Sequence, residues 1–231
     1  MKITALIPAL PLAFMSSMAF SQNIDVQVTN LTHGLHFTPL FISTHTSASN
    51  LFEVGQTASA ALKPMAEGGS IADLIAASPA GSVNSENPVG GLLAPAITSP
   101  VVSLDTGAND KLSIVAMVLP TNDGFVGLDS WTIPSEAGSY TIYLNAYDAG
   151  TEVNDEVIDT VNGGGDDGIP AAPGGDAGMN ATGVTTTESN TMVHIHRGNL
   201  GDTDLTGGVS DVDSRIHRWL NPVAKVVVTV K

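Results

Sequence analysis

Two acidic loop segments contain the residues whose types and spacing best suit metal chemistry. Asp123 lies in the first segment, and Asp148 and Glu152 lie in the second. No Lys or Arg occurs between Lys111 and Arg197, so the local sequence supplies these carboxylates with no positive charge. Hard cations such as calcium are bound by clustered carboxylate and carbonyl oxygens on loops. The two segments therefore favour a calcium-dependent binding module over an enzyme.

The elements beside these carboxylates decide whether the side chains meet. An apolar run over 125–133 follows Asp123, and another over 140–147 precedes Asp148. If the two runs are antiparallel neighbouring strands, both carboxylates fall at the same edge of a sheet. Gly150 permits the sharp bend that returns the next acidic residue towards that edge. Because Asp is also a common turn former, spacing alone leaves a solvated role open, and the pattern is not that of an EF-hand.

Strand patterns dominate the rest of the chain. Alternating or continuous apolar runs predict strands at 24–29, 36–43, 111–119, 125–133, 140–147, 192–196 and 223–230. Ala-rich segments predict short helices over 58–67 and 70–77, with Ser70 as the N-cap of the second. The segments 81–100 and 154–190 are predicted loops, the latter a Gly/Asp-rich insert with few large apolar residues. We predict an all-β fold, a single antiparallel β-sandwich over 22–231 with short helices in a connecting segment.

The N-terminus and the composition indicate an exported, acidic protein. A positive start, a short apolar run, and small residues at Ala19 and Ser21 predict a signal peptide over 1–21. The chain has no Cys, which for an exported protein favours a bacterial periplasmic or extracellular location. Its formal net charge of −15 disfavours nucleic acid as a partner. Direct binding to anionic lipid is also disfavoured unless a bound cation reverses the local field.

Catalytic motifs are absent from the sequence. It has no Gly-x-Ser-x-Gly elbow, no His-Glu-x-x-His motif and no Cys nucleophile. Two neighbouring carboxylates could also form a glycosidase dyad. That function would require a cleft of aromatic residues for sugar stacking, and Trp131 and Trp219 are the only two tryptophans. We therefore predict that the protein is not an enzyme.

Five short motifs occur in the same order as in a known family. They are 36–40 with His45, 55–59 through 66–69, 120–127, 148–152, and 224–228. These motifs resemble those of the spondin N-terminal domain, known from F-spondin-like matrix proteins and from many bacterial secreted proteins. The resemblance covers about 23–231 apart from the Gly/Asp-rich insert. Gly124 departs from it, because the family has Trp at that position.

The resemblance implies a C2-like β-sandwich with a bound calcium ion. The family's metal carboxylates correspond to Asp123, Asp148 and Glu152. Glu152 replaces an Asp, which keeps the charge and lengthens the side chain by one methylene, so its coordination distance or denticity differs. Asp155 and Glu156 have no counterpart among the family's ligands, and we expect them to be solvated loop acids.

The histidines suggest a different metal chemistry. His194 and His196 would share one face of a strand, and His217 lies further along. Such a pair suits copper or zinc, but a complete zinc site needs further ligands, and no motif supplies a third. We expect polar residues at a strand edge that hydrogen-bond a neighbouring loop. His36 and His45 match the family pattern and are expected to be structural, near the rim of the core.

Together these features predict a secreted, non-enzymatic, calcium-binding adhesion module. Its expected partner is an extracellular matrix component, a glycan or a cell surface. The alternatives are a metal-dependent hydrolase and a copper- or zinc-binding protein that uses the histidines. A structural component of a larger surface assembly, in which edge strands pair with partners, is a further alternative.

Overall fold

The computed structural model describes residues 21–158, 168–170, 178–184 and 187–231. Apart from Ser21, the predicted signal peptide lies outside the described residues, as does much of the Gly/Asp-rich insert. Within the described part of the chain, no helix is long and apolar enough to cross a membrane.

Strands make up most of the regular structure in the described residues. In chain order the elements are β1 Asn23–Asn30, β2 His36–Phe37, β3 Phe41–His45, α1 Leu62–Gly68, α2 Ala72–Ala77, β4 Val83–Glu86, β5 Val102–Asp105, β6 Lys111–Leu119, β7 Gly124–Thr132, β8 Gly138–Asp148, β9 His194–Ile195 and β10 Ala224–Val230. The predicted strand over 111–119 has the observed bounds, and those over 125–133, 140–147 and 223–230 are correct to within two residues.

The strands form one antiparallel sheet in the order β4-β3-β6-β7-β8-β10-β1-β5. Strand β2 pairs with β6, and β9 pairs with the end of β8. The two outer strands, β4 and β5, lie near each other, so the sheet curls until it nearly closes. The prediction of an all-β, antiparallel fold is confirmed, and its C2-like character stays a prediction.

Strand β6 is buried on both faces and separates two apolar cores. Ile114, Ala116 and Val118 point into the core formed with β1 and β10. Val115 and Met117 point the other way, into the core that helix α1 covers. A strand covered on both faces needs a continuous apolar run, which is the pattern of this segment. Fully burying each such side chain is worth roughly 1.5–3 kcal/mol, so β6 fixes the neighbouring strand β7 firmly.

The predicted strand over 36–43 is wrong in its continuity, because β2 and β3 are separate. Pro39 lies between them, and proline has no backbone N–H to donate to a sheet. Thr38 forms hydrogen bonds to β6 in place of the missing part of the sheet ladder. Its backbone N donates to Met117 O at 3.0 Å, and its Oγ1 accepts from Met117 N at 3.0 Å.

The connecting segment also differs from the prediction. Helix α1 begins at Leu62, and Gly69 terminates it in the left-handed region with φ of 71°. The predicted N-cap at Ser70 is wrong, because Ile71 caps α2 and no side chain bonds the helix end. Strands β4 and β5 were not predicted, and β4 lies inside the predicted 81–100 loop. Its four residues are mostly half-buried, so no period-two pattern marks it.

Candidate functional site

The pairing of β7 with β8 brings two carboxylates to one edge of the sheet. Gly124 lies opposite Asp148 in the antiparallel register, and Asp123 immediately precedes Gly124. The backbone continues this pairing by one step, since Ala149 N donates to Asp123 O at 3.2 Å. The two runs are therefore antiparallel neighbours, as the placement of both carboxylates at one edge required, with Asp148 in the last pair of the ladder and Asp123 one residue beyond it.

Asp123 is fully buried, and its two carboxylate oxygens have different surroundings. Oδ2 accepts hydrogen bonds from Thr151 N at 2.7 Å and Glu152 N at 3.1 Å, and Thr151 Oγ1 lies 3.3 Å away. Oδ1 is buried and has no hydrogen-bond partner among the described residues. An unsatisfied buried oxygen is costly, so Oδ1 is the atom of this site that most needs a ligand.

Asp148 is also buried, with 2 % of its surface exposed, and both of its oxygens have partners. Gly150 N donates to Oδ1 at 2.8 Å, and Asn154 Nδ2 donates to Oδ2 at 2.7 Å. His194 Nδ1 lies 3.6 Å from Oδ1 and also contacts Met192 O at 2.7 Å. These contacts fix the carboxylate beside Asp123.

Burial and mutual repulsion disfavour the charged forms of this pair. Burial, followed by the negative charge of Asp148, raises the pKa of Asp123 to about 6. Burial also raises the pKa of Asp148, and the hydrogen bond from Asn154 and the nearby His194 oppose that increase. The charge of Glu188 adds to the increase. The attraction of a bound divalent cation would offset both the repulsion between the two carboxylates and the cost of their desolvation.

Glu152 is placed differently from the other two predicted ligands. Its backbone N contacts Asp123, but its Oε2 accepts a hydrogen bond from Gly168 N at 3.4 Å. Among the described residues, no group of three or more His, Asp or Glu side chains could hold a metal ion as arranged. The structure thus brings Asp123 and Asp148 together and does not add the Glu152 carboxylate to them as a third. Calcium also accepts backbone carbonyls and waters, so a carboxylate pair is a suitable start for a site.

The residues that surround the pair were not predicted as site residues. Asn154 bonds Asp148, and Glu188 Oε1 accepts from Asn154 N at 3.2 Å and lies 3.4 Å from its Nδ2. Arg197 Nη1 lies 3.8 Å from the same Glu188 oxygen. The contact between Asn154 and Glu188 joins residues 34 apart in sequence, so no local sequence pattern could have shown it.

The expectation that Asp155 and Glu156 are solvated loop acids is wrong for Glu156, whereas Asp155 is half-buried and hydrogen-bonded. Glu156 is buried and accepts hydrogen bonds from Leu200 N at 2.6 Å, Gly201 N at 2.8 Å and Ser210 Oγ at 2.7 Å. Asp155 Oδ1 accepts from Asn122 Nδ2 at 3.0 Å. Both acids fasten loops together beside the candidate site.

The two histidines of β9 and its end have different environments. His194 is partly exposed beside Asp148, whereas His196 is buried and stacks on Trp219 with ring centroids 4.9 Å apart. Gly198 N donates to His196 Nδ1 at 2.9 Å, so the proton of the neutral ring is on Nε2. Burial lowers the pKa of His196 to about 3. Nδ1 is thus occupied by the Gly198 N–H, and Nε2, which carries the proton, is buried without a hydrogen-bond partner among the described residues, so neither nitrogen presents a free lone pair to copper or zinc.

His217 and His45 also take part in hydrogen bonds. His217 Nδ1 accepts from Asp213 N at 3.2 Å. His45 is buried, and its Nε2 lies 2.7 Å from Ser113 Oγ, as expected of a structural residue. The geometry therefore gives the copper or zinc alternative no support in the described residues.

Gly124 shows why this chain departs from the family motif. A Cβ at this position would lie 2.7 Å from Thr121 Oγ1 and 3.0 Å from the His196 ring. Thr121 is fixed by its own bonds, since its Oγ1 donates to Val118 O at 2.6 Å and accepts from Gly124 N at 3.0 Å. The space that a side chain at 124 would need is thus occupied.

The burial of the carboxylate pair also disfavours the glycosidase alternative. A general acid and its partner must reach the glycosidic bond of a bound sugar. Asp123 and Asp148 are enclosed by their own loops and expose almost no surface. The pair fits a role in holding a small ion better than contact with a polymer.

Comparison with known proteins gives one family. The family model described as Spondin_N matches residues 18–156, which is more than half of the chain. A search of curated proteins finds no match. The matched range includes Asp123, Asp148 and Glu152 and ends before β9 and β10. The chain therefore belongs to the spondin N-terminal domain family, a kind of extracellular, non-catalytic binding domain.

Proposed function

We propose that this protein is a secreted, calcium-binding adhesion module without catalytic activity, which contacts extracellular matrix, a glycan or a cell surface. Its family membership supports the binding role. We further propose that residues 1–21 are a signal peptide removed on export, and that 22–231 form a single domain. Bacterial origin, with a periplasmic or extracellular location, is part of the same proposal.

The observation that carries the calcium proposal is the buried Asp123 beside Asp148. Asp123 Oδ1 has no partner among the described residues, and no Lys or Arg side chain among them is bonded to the pair, beside which His194 Nδ1 lies 3.6 Å from Asp148 Oδ1. Oxygen donors of this kind suit calcium. Asp123 and Asp148 would hold the ion, and Glu152 is the proposed third carboxylate because its backbone already contacts Asp123.

The ion would supply the positive charge that the site lacks. The loops of the site run from Pro120 to Gly124 and from Asp148 to Asn154. They are already held by hydrogen bonds to the two carboxylates. Binding would therefore hold the loops at this end of the sheet in one arrangement. Because the net charge of the chain is −15, a bridging cation would also assist contact with an anionic surface.

Calorimetric titration of the chelator-treated mature protein with calcium tests the proposal. We expect one ion to bind, and Asp123→Asn and Asp148→Asn each to weaken binding by at least about tenfold, or 1.4 kcal/mol. Glu152→Gln should weaken it less, because the Glu152 side chain is not assembled with the pair. Glu136→Gln is the matched control, since it removes an exposed carboxylate elsewhere. Absence of heat in the wild type, or unchanged binding in both Asp variants, would refute the calcium site.

A further inference from the structure

A second concave feature lies on the outer face of β7 and β8. It is a cleft with a volume of about 320 Å³, which we call the Tyr143 cleft. The residues that give it chemical character are Glu53, Asp129, Tyr143, Asn145 and Tyr147. It is separate from the carboxylate pair, because Asp148 points to the opposite, buried side of β8 and Asp123 is buried in the loop before β7. Neither the family match nor the proposed calcium site accounts for it.

Strand periodicity places three of these side chains in a row. Tyr143, Asn145 and Tyr147 alternate with the buried Leu144 and Ala146 along β8. They therefore project from the same face of the sheet. The exposed Tyr143, the half-buried Asn145 and the half-buried Tyr147 are thus aligned along this face.

The floor of the cleft is rigid. Gly127 lies opposite Asn145, and a Cβ on Gly127 would lie 2.6 Å from the Phe52 ring, so Phe52 packs directly on the backbone there. Phe52 contacts Tyr147 with ring centroids 5.0 Å apart, and Phe125 contacts Tyr147 at 5.7 Å. A preformed floor lowers the entropy cost of binding a ligand.

The polar groups of the cleft are also held in place. Asp129 Oδ1 accepts from Leu51 N at 2.7 Å, and Ser113 Oγ lies 3.3 Å from it. The Asn145 side chain lies beside the Tyr147 hydroxyl. Among the described residues, the second oxygen of Asp129 has no hydrogen bond that would commit it. The cleft therefore offers fixed hydrogen-bonding groups beside its aromatic rings.

Tyr143 is the side chain of the cleft that is most accessible to a ligand. It is 61 % exposed and makes no ring contact or hydrogen bond within the described residues. A large aromatic side chain on an open strand face, beside fixed amide and carboxylate groups, combines an apolar surface with directional polar contacts. Ligand sites characteristically have this composition, and the volume of the cleft lies at the lower end of their range.

We infer that the Tyr143 cleft binds one uncharged or amino sugar unit of a glycan. A sugar ring has an apolar face that stacks on Tyr143 and hydroxyls at its rim that bond to Asn145 and Asp129. Glu53 and Asp129 make the cleft acidic, so uronate or sulfated sugars are repelled. This inference rests on the proposed adhesion function, because it names the ligand class that such a module would bind.

Calorimetric titration of the mature protein with defined hexasaccharides tests the inference. The probes are cello-, manno-, xylo- and chitosan hexamers, with hexagalacturonate as the anionic comparison. We expect at least one of the first four to bind and hexagalacturonate not to bind. Tyr143→Ala should weaken binding by at least about tenfold, whereas Tyr143→Phe should retain most of it because the ring remains. Val101→Ala, at a 53 % exposed site elsewhere, is the matched control.

The sugar site and the calcium site can be tested independently of each other. Tyr143 is exposed, so its variants should fold, which their melting temperatures would check, and they should bind calcium as the wild type does. If no hexamer binds, or if Tyr143→Ala binds as well as wild type, the sugar site is refuted while a calcium isotherm would still stand. Sugar binding without any calcium isotherm would leave the sugar site supported and refute the calcium site.

Discussion

Two acidic regions of this molecule are similar in composition, but the pKa values of their carboxyl groups shift in opposite directions. The first is the carboxylate pair Asp123 and Asp148. The second is the loop from Asp202 to Asp213, here called the 202–213 loop. Burial raises the pKa of both members of the pair, whereas hydrogen bonds from backbone N–H groups lower the pKa of Asp202 and a bond from Arg215 lowers that of Asp213 to about 2.

The difference lies in how completely each carboxylate is satisfied. Asp202 accepts from the backbone N of Asp204, Val209 and Ser210 at 2.8–3.0 Å. Asp213 accepts two bonds from the Arg215 side chain, at 2.9 and 2.7 Å. The pair, by contrast, leaves Asp123 Oδ1 without a partner among the described residues. A cation site is therefore indicated less by the number of acidic residues than by a buried carboxylate oxygen that has no hydrogen-bond partner.

The largest expected effect is a pH dependence that belongs to the pair alone. In chelator, the folded state holds a proton on Asp123 up to about pH 6, whereas an unfolded Asp loses it near pH 3.8. Between these values the folded state binds more protons, so the Asp123 contribution to stability falls as pH rises from about 4 to 6 and is constant above. The stability of Asp123→Asn relative to wild type should rise over this window by on the order of 2 kcal/mol.

Chemical denaturation in chelator from pH 4 to 7.5 measures this difference. The comparison with the variant is needed because His196 acts in the opposite direction. Its folded pKa of about 3 lies below the usual 6.5, so its contribution is lost as pH falls through that range. If the difference in unfolding free energy between wild type and Asp123→Asn does not change with pH, burial does not raise the pKa of Asp123 in the folded protein.

This contrast also shows what the sequence could and could not predict. The period and length of two apolar runs identify them as strands, and the placement of Asp123 and Asp148 at one edge depended on their being antiparallel neighbours, which the register shows. Strand β6 was predicted with its bounds because a strand buried on both faces is apolar throughout.

What the sequence could not show depends on contacts between distant loops. Glu156 is buried because backbone groups at 200 and 201 donate to it, and nothing near Glu156 in sequence signals this. The bond of Glu188 to Asn154, 34 residues away, has the same character. The ligand role of Glu152 stays a prediction, since its side chain bonds Gly168.

An intermediate effect of opposite sign is expected in the 202–213 loop. Asp213→Asn removes the charge that pairs with Arg215, a partly exposed side chain, so it should destabilise the protein by about 0.5–1 kcal/mol. The melting temperature at pH 7 should fall by about 1–4 °C, with or without calcium. Asp123→Asn should instead raise the melting temperature in chelator. If both variants shift in the same direction in chelator, the two regions do not differ as their pKa values indicate.

The smallest expected effect separates calcium binding by the buried pair from a general effect of the negative charge of the chain. Asp202→Asn should leave the calcium isotherm unchanged, because backbone N–H groups already satisfy Asp202 and a cation there would have to displace them. The variant removes one negative charge, as Asp123→Asn does, so the two are matched in net charge and differ in position. If calcium binding depended only on the general acidity of the chain, both variants would weaken it equally. Loss of binding in Asp123→Asn with full retention in Asp202→Asn would instead assign it to the buried pair.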